Sequence, residues 1–321
     1  MKFMIAGLGS IGRRHLRNLI ALGEKDILLY RSGKSTLPDD ELEGYVTETN
    51  IDASLAHEPD AVIVSNPTAL HLDVAIPAVE AGCHLLLEKP ISHNLERIDE
   101  LQAAVGRGGG KILVGYQFRF HPGLKGVKRW LEEGKIGKPV SVRAHWGEYL
   151  PEWHPWEDYQ NSYAARDDLG GGVVLTLSHP FDYLRWLLGE VESVMGMVGN
   201  LGDLGLEVED TAEIVLKFTS GVLGSVHLDY CQRPATHNLE IIGTQGTIQW
   251  NNQDGSARMY QASTQEWELI PPPEGFERND IFLAEMRHFL EVVTGITEPV
   301  CDLDNGIQAL RIASAVLGHP K

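Results

Sequence analysis

Cysteine is scarce. Cys83, Cys231 and Cys301 are the three in 321 residues, an odd number spread along the chain with no C-x-x-C pair. That speaks against a disulfide framework and a zinc knuckle. No metal site is expected, and a reduced, cytoplasmic setting is the simplest expectation. Positive charge is also short: 27 Lys and Arg face 45 Asp and Glu, a net charge of −18. Nucleic acid and anionic membrane surfaces are therefore not expected as partners, although a local basic pocket is compatible with that balance. No apolar run approaches the length of a membrane span. No cleaved leader is expected, because the motif that follows needs the first strand. Repeats and low-complexity segments are missing too. What is present is ordinary for a globular protein, 43% hydrophobic and 22% charged residues. The length accommodates two domains and a large core.

The chain opens on an apolar run, Met1-Lys2-Phe3-Met4-Ile5-Ala6, that meets Gly7-Leu8-Gly9-Ser10-Ile11-Gly12. In G-x-G-x-x-G the first glycine permits the tight turn and the second lets backbone approach a pyrophosphate. The third lets helix and strand pack, and the free N–H groups of the helix start hold phosphate. Leu16, Leu19 and Ile20 continue as an apolar helical stripe with Arg13, Arg14 and Arg17 polar. A glycine turn of some other α/β protein is the bland alternative; the strand before and helix after favour a dinucleotide.

Residues 1–120 alternate strands and helices. Strands are expected at Phe3–Ala6, Ile27–Tyr30, Tyr45–Thr47, Ala61–Ser65, His84–Leu87 and Ile112–Tyr116. Most are short continuous apolar runs, as in parallel strands buried on both faces. Ala69–Ala81 and Leu95–Val105 read as helices, with Pro77 expected to kink or break the first. This is a doubly wound parallel sheet with ligand at the strand carboxyl ends. After Phe120 the pattern changes. A helix over Leu124–Gly134 and a strand over Val140–Trp146 precede a loop over Leu150–Asp168. Gly170-Gly171-Gly172 then leads into one apolar helix, Val173–Leu188. Strands follow at Val191–Val198, Thr211–Phe218, Val222–Tyr230, His237–Gly243 and Thr247–Trp250, with hairpin turns at Gly221 and Gly246. That is a mostly antiparallel sheet, closed by helices over Asn279–Val293 and Asp304–Leu317.

The end of the second strand selects the cofactor. An acid there would bond the ribose 2′-OH of NAD, but the chain has Tyr30-Arg31-Ser32-Gly33-Lys34. Arg31 and Lys34 suit a 2′-phosphate and Ser32 can donate to it, so NADP is favoured over NAD. The alternative is solvated loop charge. Asn66-Pro67-Thr68 follows the fourth strand, where ligand contacts are expected, and His71 opens the next helix; Thr68 could also be an N-cap. Glu88-Lys89-Pro90 ends the fifth strand. Lys89 is placed to exchange a proton with a substrate hydroxyl beside a charged nicotinamide, with Glu88 holding it, or else is a salt-bridged surface lysine. His179 sits in an apolar helix with Thr176 and Asp182 at i−3 and i+3 on one face. Alone it reads as a core histidine, but the polar cluster asks for a reason.

Together these features resemble the glucose–fructose oxidoreductase / inositol dehydrogenase / rhizopine catabolism (Gfo/Idh/MocA) family. The landmarks are Gly7–Gly12, Asn66-Pro67-Thr68 with His71, Glu88-Lys89-Pro90, Gly115-Tyr116-Gln117-Phe118-Arg119-Phe120, Gly134-Lys135-Ile136-Gly137, and the glycine triplet leading to His179. The resemblance implies a Rossmann domain over 1–120 and, over 121–321, an α+β domain for substrate binding and oligomerisation, whose open sheet is mostly antiparallel. The terminal helices are candidates to pack back on the first domain. It implies hydride transfer between NAD(P) and a hydroxyl or carbonyl of a sugar, polyol or sugar derivative. Lys89 and His179 would be the proton-transfer pair, supported by Glu88, Thr176 and Asp182, with Gln117 among the cofactor contacts. A homodimer or homotetramer is expected.

One departure stands out. Many family dehydrogenases carry an Asp shortly before that histidine, where this chain has Leu175 and Thr176. Asp182 could hold His179 instead, the reaction could run as a reduction with Lys89 as the acid, or catalysis could be weak or lost. Arg119, Trp153, His154, Trp156 and Tyr159 are candidate substrate contacts, their aromatic faces suiting sugar rings. Trp153 and Trp156 could equally pack a long loop, and Arg119 could pair with an anionic substrate or with an acid such as Glu148. A glycoside-cleaving enzyme with bound NAD(P), and a non-catalytic NADP-binding sensor, are the competing readings.

Overall fold

The computed structural model describes residues 1–33, 37–155 and 158–318. They fall into two compact units. The first is Met1–Tyr116, Asp168–Gly170 and Ile281–Leu310; the second is Gln117–Asp167, Gly171–Asp280 and Arg311 onward.

In the first unit, the strands have no wet face. β1 (Lys2–Ala6), β2 (Asp26–Tyr30), β3 (Val46–Glu48), β4 (Ala61–Val64), β5 (His84–Leu87) and β6 (Ile112–Val114) lie in the order β3-β2-β1-β4-β5-β6. All neighbours are parallel. Successive residues Phe3, Met4 and Ile5, and Ala61 to Val64, are all at 0% exposure. Both faces of these strands are therefore covered, which is why the runs are continuously apolar. The connections carry α1 (Ser10–Ala21), α2 (Ile51–Leu55), α3 (His71–Glu80) and α4 (Ile98–Gly108). The chain leaves β1 toward β2 and later returns to β4 on the other side of β1, so the strand order reverses there. That is where doubly wound sheets bind ligands. Pro77 does not break α3, which continues to Glu80; the missing N–H deprives only the carbonyl four residues back.

The second unit holds β7 (Pro139–Gly147), β8 (Val191–Gly199), β9 (Thr211–Phe218), β10 (Leu223–Asp229), β11 (Thr236–Gly243), β12 (Gly246–Asn251), β13 (Ala257–Gln261) and β14 (Glu266–Ile270). They are ordered β14-β13-β12-β11-β7-β10-β9-β8. β7 and β10 pair in parallel and the other neighbours are antiparallel. β9 alternates: Ala212, Ile214, Leu216 and Phe218 are buried while Glu213, Val215 and Lys217 are exposed. One face of the sheet therefore carries the core and packs against α5 (Pro122–Glu132) and α6 (Val173–Thr176). The other face is open.

Two sequence readings change. The helix expected over Val173–Leu188 is two helices, α6 and α7 (His179–Leu188). Pro180 has no N–H to donate to the Thr176 carbonyl, so the helix stops and restarts around Leu177 and Ser178. β13 and β14 are strands that the sequence reading does not include, and Glu266–Ile270 is almost wholly exposed at the sheet edge. The chain ends with α8 (Arg278–Val293) and α9 (Leu303–Val316). No helix among the described residues is long and apolar enough to cross a membrane.

Candidate active site

Two close approaches build the glycine turn. Gly7 has φ +90°, and a Cβ there would run into the Asn66 backbone. A Cβ on Gly12 would strike the Gly7 carbonyl, so helix and strand meet at backbone distance. Gly9 differs, with nothing within 4 Å of its Cβ position. It caps α1 without a side-chain hydrogen bond, and no acid stands in the first turn. Gly9 and Ser10 are exposed and Ile11 half-buried. An open approach at Gly9 and an unspent helix N-terminus fit a pyrophosphate. The Gly7 N–H donates to the Tyr30 carbonyl at 3.0 Å, tying the turn to the end of β2. Beyond it, Arg31 Nη1 lies 2.8 Å from Asp39 Oδ1, and Ser32 is exposed. Lys34 lies outside the described residues.

At the end of β4, Asn66 Nδ2 donates to the Leu70 carbonyl at 2.8 Å. Thr68 is not an N-cap: Pro67 holds that position before the short turn Thr68–Leu70, with no side-chain cap. Thr68 is instead buried, with Pro67 half-buried. His71 is enclosed. Its Nε2 lies 2.9 Å from the Asn66 carbonyl and its Nδ1 2.9 Å from the Pro90 carbonyl. Burial pushes it down to about 4, against the two carbonyls and the Glu88 charge that favour the cation. Its ring joins the loop after β4 to the loop after β5, so it positions the backbone.

Lys89 is half-buried at the end of β5. Its neighbour Glu88 is buried, and His15 Nε2 donates to Glu88 Oε1 at 2.7 Å. Burial pushes the Glu88 carboxyl up, but the His15 hydrogen bond and the charges of His15, Lys89 and His71 outweigh it and hold it below the ordinary range. A second carboxyl, Glu285 on α8, is at 0% exposure. Neither of its oxygens has a hydrogen-bond partner among the described residues. Burial and then the Glu88 charge raise it well above the carboxylate range, so it stays protonated. Sequence reasoning missed His15 and Glu285. Each is buried on its helix among apolar residues, Leu16 and Leu19 near one and Ile281, Met286 and Phe289 near the other, with Arg13 and Asn18 also buried on α1 and His288 on α8. A polar residue inside an apolar stripe is the signal that would have found them.

In the second unit, Thr176, His179 and Asp182 are not one face of one helix, and each has its own partner. Thr176 is buried beside Tyr230. The Gln117 amide donates to His179 Nε2 at 3.3 Å. Asp182 takes the Arg119 guanidinium in a two-pronged pair, 2.9 Å from Nε and 2.7 Å from Nη2. The acid that Arg119 meets is therefore Asp182, whereas Glu148 accepts from Trp146 Nε1. His179 packs edge-on to Phe118 at 4.9 Å and beside Trp146 at 5.5 Å. Trp146 and His237 are cross-strand partners on β7 and β11, stacked at 4.2 Å and 2°; neither was singled out from the sequence. Burial drives His237 well below its ordinary pKa and His121 down to about 4, so both are neutral packing groups. Of the substrate candidates, Trp153 sits edge-on to Tyr230 at 5.5 Å, and the Tyr159 hydroxyl donates to the Leu204 carbonyl at 3.0 Å. Both contacts pack the loop. His154 is half-buried, and Trp156 lies outside the described residues.

Comparison with known proteins bears on the family and the fold. Residues 1–116 match the oxidoreductase family with an NAD-binding Rossmann fold, and residues 124–249 match the GFO/IDH/MocA C-terminal domain. The uncharacterized oxidoreductase YrbE of Bacillus subtilis is 30% identical, over 97% of this chain and 92% of its own length. The myo-inositol 2-dehydrogenase of Thermotoga maritima is 27% identical, over 98% and 95%. A solved levoglucosan dehydrogenase, in complex with NADH and levoglucosan, superposes with TM-score 0.86 at 19% identity, covering 99% of this chain and 96% of that one. The six-stranded parallel sheet, the eight-stranded mostly antiparallel sheet and these matches place the chain in the Gfo/Idh/MocA family of oxidoreductases.

Proposed function

We propose that this oxidoreductase exchanges a hydride between a nicotinamide dinucleotide and a carbinol or carbonyl carbon of a sugar, polyol or sugar derivative. The observation that carries the reading is Lys89. It closes β5 beside a buried, histidine-held carboxylate, at the same strand ends as the glycine turn. When bound, the nicotinamide supplies the carbon that exchanges hydride. Lys89 takes the substrate hydroxyl proton in oxidation and returns it in reduction, and Glu88 steadies its charge. His179, with Nε2 facing the Gln117 amide, is the second proton-handling group. Relatives that include a 1,5-anhydro-D-fructose reductase and a myo-inositol 2-dehydrogenase support a polyhydroxylated substrate.

NADP(H) is the preferred cofactor on this reading, because no acid follows β2 and Arg31 and Ser32 do. The open sheet face is the self-association surface of a homodimer or homotetramer. Met195, Met197 and Val215 are 72%, 81% and 51% exposed on it, more apolar surface than a lone sheet face ordinarily leaves wet.

The test is titration with NADPH and NADH, then a panel of sugars, inositols and ketosugars followed at the nicotinamide absorbance. Turnover on a panel member, lost by roughly a hundredfold or more in Lys89→Ala with cofactor affinity retained, is the expected result. Wild-type turnover in that variant removes Lys89 from the chemistry. Sugar release from glycosides without net cofactor change would replace the reading with hydrolysis.

A further inference from the structure

β7 and β10 run parallel and in register, so His145 stands beside His227, ring centroids 4.6 Å apart. Asp229, two residues after His227, points to the same face, the open one; Ala144, Trp146, Val226 and Leu228 point into the core. The register partner of Asp229 is Gly147. A side chain there would run into Asp229 Oδ2 and Gln232 Oε1, so the glycine makes room for both. Ligand atoms of His145, His227 and Asp229 lie within 4.8 Å of one another. His227 Nε2 is 3.0 Å from Asp229 Oδ2, and His145 Nε2 is 2.5 Å from Gln232 Oε1.

The far end of three of these groups is fastened. Glu213 Oε1 accepts from His227 Nδ1 at 2.6 Å, which turns Nε2 toward Asp229. The Cys231 N–H donates to Asp229 Oδ1 at 2.7 Å and leaves Oδ2 facing the histidines. Gln232 Nε2 donates to Thr236 Oγ1 at 2.7 Å, which aims its carbonyl oxygen back at His145. Two imidazoles, a carboxylate oxygen and an amide oxygen thus converge, and His227, Asp229 and Gln232 have their outer atoms held, the pattern by which proteins orient metal ligands.

We propose that His145, His227 and Asp229, completed by Gln232, bind a divalent transition cation on the open face of the sheet. The mixed nitrogen and oxygen set suits zinc or a similar ion, at about 2.0–2.2 Å, over magnesium or calcium. An imidazole nitrogen ligates only without its proton, so binding tightens as pH rises.

The experiment is calorimetric titration of the chelator-treated full chain with zinc alone. One saturable ion per chain is expected. His145→Ala and His227→Ala abolish it, Glu213→Gln weakens it roughly 10–100-fold, and Cys231→Ser leaves it intact. No saturable binding by the wild type, or binding unchanged in both histidine variants, overturns the proposal. Glu213 is exposed, so its variant tests the site even where a histidine variant misfolds.

Discussion

His15 donates to Glu88 at 2.7 Å with their side chains 0% and 9% exposed, so the residue before Lys89 is anchored to α1. Glu285 stands near the same carboxylate with no such donor. The two acids therefore differ: Glu88 is ionised and Glu285 is neutral. Glu285→Gln replaces one neutral group with another of similar shape and is expected to change stability by less than about 1 kcal/mol. His15→Ala strips a buried carboxylate of its donor and should cost about 1.5–3 kcal/mol. Thermal melts of the two variants check this. Equal losses would mean that Glu285 is also charged.

Arg31 reads the cofactor on the proposed function. Its guanidinium is held by the exposed Asp39, and its own side chain is 14% exposed, so the pair orients it. Arg31→Asp sets two acids side by side where a 2′-phosphate would bind. The NADPH-to-NADH affinity ratio is expected to fall roughly tenfold or more, the value of one charge-assisted contact. Fluorescence titration with both nucleotides measures it. An unchanged ratio would take Arg31 out of cofactor selection.

Arg119 and Asp182 are a structural pair, 5% and 1% exposed. Asp182→Asn leaves a buried guanidinium short of its counter-charge and should destabilise by about 3–5 kcal/mol. Arg119→Met with Asp182→Leu, which removes both charges, should recover most of that loss. Denaturant melts of the single and double variants decide. A double variant as unstable as the single would mean that the pair is worth more than the hydrophobic contacts replacing it.

The parallel sheet was legible because burial on both faces leaves uninterrupted apolar runs such as Phe3–Ala6 and Ala61–Val64. The glycine turn was legible because backbone contact admits no other residue at Gly7 and Gly12. The partners of the polar residues were not. Thr176, His179 and Asp182 look like one cluster at helical spacing, but Pro180 interrupts the helix and sends them to Tyr230, Gln117 and Arg119. Glu88 finds His15 from across the sequence. Such pairs depend on which strands lie side by side, and spacing along the chain does not encode that.

Glu209 gives the fold a pH dependence of unusual sign. Burial raises its carboxyl to about 7, against the Val174 N–H that donates to it at 3.1 Å. The folded chain therefore holds this proton to higher pH than the unfolded chain, whose group titrates near 4.5. The stabilisation is full below that lower value and is lost as pH rises through 7. At about 1.4 kcal/mol per pH unit the span is on the order of 3 kcal/mol, less whatever solvent screens. His71 works the other way. Its pKa falls from 6.5 to about 4, so its contribution is present above 6.5 and fades as pH drops toward 4. The opposed slopes partly cancel in the wild type. Glu209→Gln removes one of them, and stability of the variant relative to wild type should climb steadily between pH 4.5 and 7. Urea melts across that range measure the difference, and a flat difference would show that Glu209 titrates normally in the folded chain.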